Sequence, residues 1–150
     1  EYQFSNYFLL QDQVTRIEFS FEVCSEAPGY NNDWPSDITI ELNHKHIVTF
    51  LIKGDYGGRK GIYNPSWWSD SITQFGEYKK LFVTHDGCYM DDHRVSDETI
   101  ESLELMSGYF FSFILRVDGN SEHVGGMNLF GKHFGDYAQD IVMKIEYEGS

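Results

Sequence analysis

The stretch VTRIEFSFEV, residues 14–23, constrains the fold more than any other part of this chain. Val14, Ile17, Phe19, Phe21 and Val23 are apolar, and Arg16, Glu18, Ser20 and Glu22 stand between them. Alternation with a period of two sends successive side chains to opposite faces of an extended backbone. The segment is therefore expected to be a strand with one face in a core and the other in water. DITIELNHKHIVTFLI, residues 37–52, reads as a hairpin. Ile38, Ile40 and Leu42 share one face there, and Asn43-His44 makes the tight turn. EYKKLFVT, then His85-Asp86-Gly87, then CYMDD form a second hairpin.

Residues 94–105 are expected to hold a short strand with Thr99, Ile100, Leu103 and Leu105. YFFSFILRV, 109–117, is almost wholly apolar and reads as a central strand covered on both faces, and IVMKIEYE, 141–148, alternates again. EYQFSNYFLL at the start is an edge strand or a linker. Between these lie loops rich in Gly, Asp, Asn and Pro: EAPGYNNDWPSD, GDYGGRKG and NPSWWSDSITQFG. Seven to nine short strands without a helical period predict an all-β fold, an antiparallel β-sandwich of jelly-roll-like type. Residues 13–150 form one sandwich domain, with 1–12 a linker or edge-strand remnant.

Charge narrows the function. The chain carries 24 acidic against 11 basic residues, a net charge of -13. DNA binding draws most of its affinity from Lys and Arg on phosphates, and Arg59-Lys60 and Lys79-Lys80 make no patch. These residues are not expected to read DNA or to lie on an anionic membrane. Aromatic residues at 17% exceed what a disordered acidic tail carries, and 150 residues bury about 70% of the unfolded surface.

Cys24 and Cys88 lie far apart with no CxxC, which points to two buried thiols. There is no N-x-S/T sequon, because Asn64-Pro65-Ser66 is disqualified by its proline. No leader sequence is expected, and the sequence holds no long apolar run. The chain opens at Glu1 without a methionine, and the expectation is a piece of a longer cytoplasmic protein.

Catalytic patterns are weak. His44 and His46 share a strand face only if neither falls in the turn, and no cupin-type Glu follows them. His85 and His93 also read as turn residues. No G-x-S-x-G is present, and neither cysteine sits in an electropositive setting. No metal, no cofactor and no enzymatic activity are expected. GDYGGRKG lacks the helix start or Lys-Ser/Thr tail of a phosphate cradle. It offers Asp55 and Arg59, and Arg59 either holds a ligand carboxylate or sugar hydroxyl or pairs with Asp55.

The natural ligand platform is Trp67-Trp68 with Trp34 and Tyr63. Aromatic faces stack on the C–H faces of sugars while polar neighbours satisfy the hydroxyls. On an extended backbone the two adjacent indoles point opposite ways, one into the core and one out.

Three pieces, GDYGGRKGIYNPSWW (54–68), the hairpin around THDGCYMDD (84–92) and EHVGGMNLFGKHFGDYAQDIVMKI (122–145), resemble the C-terminal domain of ArsR-type winged-helix transcriptional regulators of Firmicutes. The resemblance spans most of the chain after residue 37. Its most specific part is the segment with His123, Gly125, Gly126, Asn128, Leu129, Phe130, Gly131, Phe134, Gly135, Asp136 and Tyr137. It implies an effector-sensing or oligomerisation domain whose parent protein contacts DNA through a separate N-terminal winged helix. The parent is expected to be a homodimer.

In the 122–140 segment the glycines permit tight folding. Leu129, Phe130, Phe134 and Tyr137 are expected to plug a compact loop into the end of the sandwich, leaving His123, Asn128 and Asp136 as polar groups for a ligand. The expected ligand-binding set is Trp67, Trp68, Arg59, Asp55, Tyr63, Asn64, His123 and Asn128, and the expected ligand is small and polar, such as a carbohydrate. Other readings are an exported carbohydrate-binding module, a cupin-like or glycosidase-like enzyme, and a dimerisation scaffold without a ligand.

Overall fold

A computed structural model describes residues 1–5, 14–25, 35–54, 56–57, 59–68, 74–106, 110–117, 127–130, 135–136 and 141–147. They form an antiparallel β-sandwich of ten strands: β1 (Tyr2–Ser5), β2 (Val14–Cys24), β3 (Ser36–Leu42), β4 (Lys45–Ile52), β5 (Glu77–Thr84), β6 (Cys88–Met90), β7 (His93–Ser96), β8 (Phe110–Val117), β9 (Asn128–Phe130) and β10 (Val142–Tyr147). One sheet runs β1-β8-β3-β4. The other runs β10-β2-β5-β6-β7, with β9 also pairing β2. β10 takes the Val14–Ser20 part of β2 and β9 takes Glu22–Cys24, so both lie along the edge of β2 opposite β5. Strands distant in sequence lie side by side, β1 against β8 and β2 against β10, the crossover wiring of a jelly-roll-like sandwich. No helix among the described residues is long and apolar enough to cross a membrane.

The two sheets meet through phenylalanine. Phe19 of β2 stacks on Phe113 of β8 at 5.0 Å between ring centroids and meets Phe111 edge-on at 6.0 Å. Phe4 of β1 packs on both Phe19 and Phe111, at 5.6 and 5.8 Å. Such pairs add about 0.5–1.5 kcal/mol each beyond their burial. The edge strand β1 is thereby fastened into the core rather than left as a linker.

The turns follow their chemistry. Asn43 and His44 have φ of 48° and 66°, as a two-residue hairpin of the primed type requires. Asn43 also donates from Nδ2 to the Leu103 carbonyl at 2.9 Å and accepts the Ser112 amide at 3.0 Å. A similar turn at Asp91-Asp92, with φ of 52° and 64°, joins β6 to β7.

Several expectations are corrected. There are ten strands rather than seven to nine. The polar face of β2 is not in water: Glu18, Ser20 and Glu22 are all buried, because β2 lies inside its sheet and its polar face is overlaid by neighbouring side chains and loops. β8 is central but not fully covered, since Phe110 and Arg116 are exposed. His93 opens β7 instead of sitting in a turn, and the strand stops at Ser96. Residues 99–105 coil through tight turns, with Leu103 N bonded to Thr99 O and Leu105 N to Ile100 O. That winding still buries Ile100, Leu103 and Leu105, which is why their spacing imitates a strand.

His85, in the β5–β6 turn, ties this winding to the start of β2. Its Nε2 donates to the Val14 carbonyl at 2.5 Å and its Nδ1 pairs with the Glu101 carboxylate. With an oxygen acceptor at each nitrogen, the doubly protonated ring is favoured. The Val14 carbonyl first, then Glu101, raise its pKa above the ordinary 6.5. Burial pulls Glu101 upward, but its own backbone amide and His85 hold it below its ordinary 4.5. A raised imidazole pKa stabilises the fold fully below the unfolded value and loses that contribution as pH climbs through the folded one. Wild type should therefore exceed His85→Asn in stability at about pH 5.5, with the difference shrinking by about pH 9, as read from urea midpoints.

Candidate functional site

Residues 56–75 leave and rejoin the sandwich at one neck. Tyr56 and Phe75 form an isolated antiparallel bridge, their rings stack at 5.5 Å, and Gln74 N donates to Tyr56 O at 2.9 Å. The Tyr56 hydroxyl donates to Glu77 Oε2 at 2.7 Å. Burial first, then Glu77, push its pKa far above the ordinary tyrosine value.

Two tight turns build the described part of the loop beyond the neck. Asn64 N returns to Gly61 O at 3.2 Å, and Trp68 N to Pro65 O at 3.0 Å. Gly61 is required by close approach: a Cβ there would lie 2.0 Å from the Gln74 carbonyl oxygen and 2.6 Å from Asn64 Nδ2.

This loop is clamped to Gly135-Asp136, more than seventy residues away in sequence. Arg59 forks onto Asp136, with Nη1 to Oδ1 at 2.8 Å and Nη2 to Oδ2 at 2.5 Å, and its guanidinium lies 3.8 Å from the centre of the Phe75 ring. The backbones add Tyr63 N to Gly135 O at 2.8 Å and Ile62 N to Asp136 Oδ1 at 3.3 Å. Asn64 closes the inner side: its Oδ1 accepts the Gly135 amide at 2.5 Å, and its Nδ2 reaches the Gln74 backbone oxygen at 2.8 Å and side-chain oxygen at 3.0 Å. The Arg59 fork, more than any other group, holds the Asp136 carboxyl below its ordinary value.

Beneath the clamp lies Glu22 of β2, fully buried. Its carboxylate accepts the Asp136 amide at 3.0 Å on each oxygen and the Gly76 amide at 2.8 Å. One buried side chain thus fixes both the return of the 56–75 loop and the 135–136 turn. Gly135 has φ of 76°, and a Cβ on it would lie 2.4 Å from Glu22 Oε1. Gly135→Ala should cost about 2 kcal/mol from the left-handed backbone and the crowded carboxylate, measured as a drop in urea midpoint at constant m-value.

The candidate ligand residues now divide. Arg59 and Asn64 are engaged by the clamp, and the partner of Arg59 is Asp136 rather than an incoming ligand. Trp67 is 72% exposed, Ile62 69% and Tyr63 46%, so the loop presents apolar and aromatic side chains to solvent. Trp67 and Trp68 do not sit on an extended segment. They lie in the turn after Pro65, their rings touch edge-on at 5.8 Å, and Trp68 is half-buried behind Trp67.

Asp55, Trp34 and His123 lie outside the described residues, as do Gly125, Gly126, Gly131, Phe134 and Tyr137. Asn128 is described only through its backbone, which pairs with Cys24. The 122–140 segment is not all loop: residues 128–130 form β9, and Phe130 is buried against the core.

Glu22, Gln74 and Ile62 escaped the sequence reading. Glu22 was hidden because its alternation pattern placed it in water, and Gln74 carries no distinguishing motif. Among the described residues no three of His, Cys, Asp or Glu converge closely enough to hold a metal ion. Cys24 and Cys88 are buried and not joined in a disulfide, and burial pushes Cys88 up to about 12, far from a thiolate nucleophile at neutral pH. No protein-family model, no curated protein and no solved structure matches this chain.

Proposed function

We propose that this domain is the ligand-reading part of a bacterial transcriptional regulator, and that it takes a small polar ligand, a carbohydrate by class, against Trp67 and Tyr63. The observation that carries this reading is an indole left 72% exposed on a loop that is otherwise pinned. Exposing a large aromatic surface is unfavourable in water, and the Arg59–Asp136 fork and the Asn64–Gly135 bond keep the loop from folding that surface inward. A preordered ring binds without a large ordering cost.

The regulatory half of the reading rests on the resemblance. Two of the three segments that carry it, 54–68 and 122–145, are joined at the Arg59–Asp136 fork. Charge supports a division of labour. Arg16, Lys45, Arg59, Lys79, Lys80, Arg94, Arg116 and Lys144 each lie within 4.0 Å of a carboxylate, which leaves few cations for phosphates. DNA contact then belongs to a winged helix elsewhere in a cytoplasmic, homodimeric parent protein.

A thermal-shift panel of mono- and disaccharides tests the ligand. A saccharide at a hundred times its Kd is expected to stabilise the domain by about 2.7 kcal/mol. If no saccharide raises the melting temperature, the carbohydrate reading fails. Sedimentation of the domain would then examine dimerisation as its function.

A further inference from the structure

The geometry points to a second binding site, for an organic cation, on the outer face of the β10-β2-β5-β6-β7 sheet. There the start of β2 and the β5–β6 hairpin enclose a depression of about 640 Å³, within the size range of small-molecule sites. Arg16, Phe82, His85, Asp86, Tyr89 and Asp92 are among the residues lining it.

Each cation around the depression is matched by a carboxylate that does not line it. Arg16 lies 4.5 Å over the Phe82 ring and forks onto Glu146 at 2.7 and 2.9 Å. His85 is held by Glu101 and the Val14 carbonyl. Arg94 donates to the Asp86 backbone oxygen at 2.6 Å and pairs with Asp97 at 3.1 Å.

Neither lining carboxylate forms an ion pair among the described residues, although Arg94 and His85 act on Asp86 through space. Asp86 Oδ1 accepts the hydroxyls of Thr84 at 2.6 Å and Tyr89 at 3.1 Å, both neutral donors. Asp92 forms no hydrogen bond or ion pair among the described residues. The result is two carboxylates beside the Tyr89 ring, with the Phe82 ring already covered by Arg16, on a protein of net charge -13.

That chemistry suits an ammonium or guanidinium group on an apolar body. The carboxylates take its N–H donors, and the Tyr89 ring takes its body and its charge. A sugar fits less well, because the donors its oxygens need, Arg16 and His85, are already engaged. The overall negative charge draws cations toward this face. None of this depends on Trp67 or on the carbohydrate reading.

Calorimetric titration with agmatine, which carries one guanidinium and one ammonium, tests the site. Saturable one-site binding is expected. Asp92→Asn and Asp86→Asn should each weaken it about tenfold, equivalent to about 1.4 kcal/mol, and Trp67→Ala should leave it unchanged. Asn at 86 retains an oxygen for Thr84 and Tyr89, and Asp92 is exposed, so at least one variant keeps the fold. N-acetyl-arginine amide, run in parallel, separates the sources of the cation: binding equal to agmatine assigns recognition to the guanidinium alone, and weaker binding assigns a part to the second charge. Absence of saturable binding overturns the site. So does equal weakening by Asp37→Asn on β3 of the other sheet, which would mark diffuse attraction instead.

Discussion

Glu22→Ala is expected to lower the unfolding free energy by about 2–6 kcal/mol, because two buried backbone amides lose their acceptor. Glu22 is fully buried and accepts the Gly76 and Asp136 amides at 2.8 and 3.0 Å. Alanine leaves both donors without this acceptor, at about 1–3 kcal/mol each, and opens a cavity beneath the 56–75 loop. Replacing a buried charge by an apolar group is often harmless when its partners leave with it. Here the partners are backbone amides that stay. Glu22→Gln keeps one carbonyl oxygen and should lose roughly half as much. Urea denaturation of both variants checks the order, and a Glu22→Ala protein within about 1 kcal/mol of wild type would show that the clamp is not held from below.

Trp67→Ala should do the opposite: almost nothing to stability and a great deal to binding. An indole 72% exposed contributes little burial, so the stability change should stay within about 0.5 kcal/mol. Tryptophan anchors at binding surfaces commonly carry about 2 kcal/mol or more, so the affinity for a saccharide found by thermal shift should fall at least about thirtyfold. Trp67→Phe, which keeps a smaller face, should recover part of it. The separation matters because Trp68 is half-buried and its loss disturbs packing as well as any ligand contact. A Trp67→Ala variant that binds as well as wild type removes Trp67 from the site.

Much of the fold was legible because strand signals are local. The alternation at Ile17, Phe19, Phe21 and Val23 needs no knowledge of partners, and all four side chains are buried in the core. Asn43-His44 declares its turn through residues that tolerate positive φ. What stayed hidden was decided by residues far away. Whether Glu18, Ser20 and Glu22 face water depends on what lies over their sheet, and no period of two carries that. β9 is only three residues long and exists because the end of β2 offers an unpaired edge.

The site was half legible for a related reason. Aromatic composition marked Trp67, Trp68, Trp34 and Tyr63 as a ligand platform without saying which indole faces out, and the glycine pattern marked 122–140 as a compact loop, most of which lies outside the described residues. The pairing of Arg59 with Asp136, across seventy-seven positions, has no local signature. Arg59 and Asn64 looked like ligand groups because a polar side chain in a glycine-rich loop reads the same whether it meets a sugar or another loop.

Whether the pinned loop presents Trp67 to a polar ligand can be measured directly through the three tryptophans. Each indole N–H gives its own signal in a proton–nitrogen correlation spectrum, assignable by single substitution. On titration with the stabilising saccharide, the Trp67 signal should shift saturably with the same Kd as the thermal shift. If the saccharide binds while the Trp67 signal stays in place, the loop does not present Trp67 to the ligand.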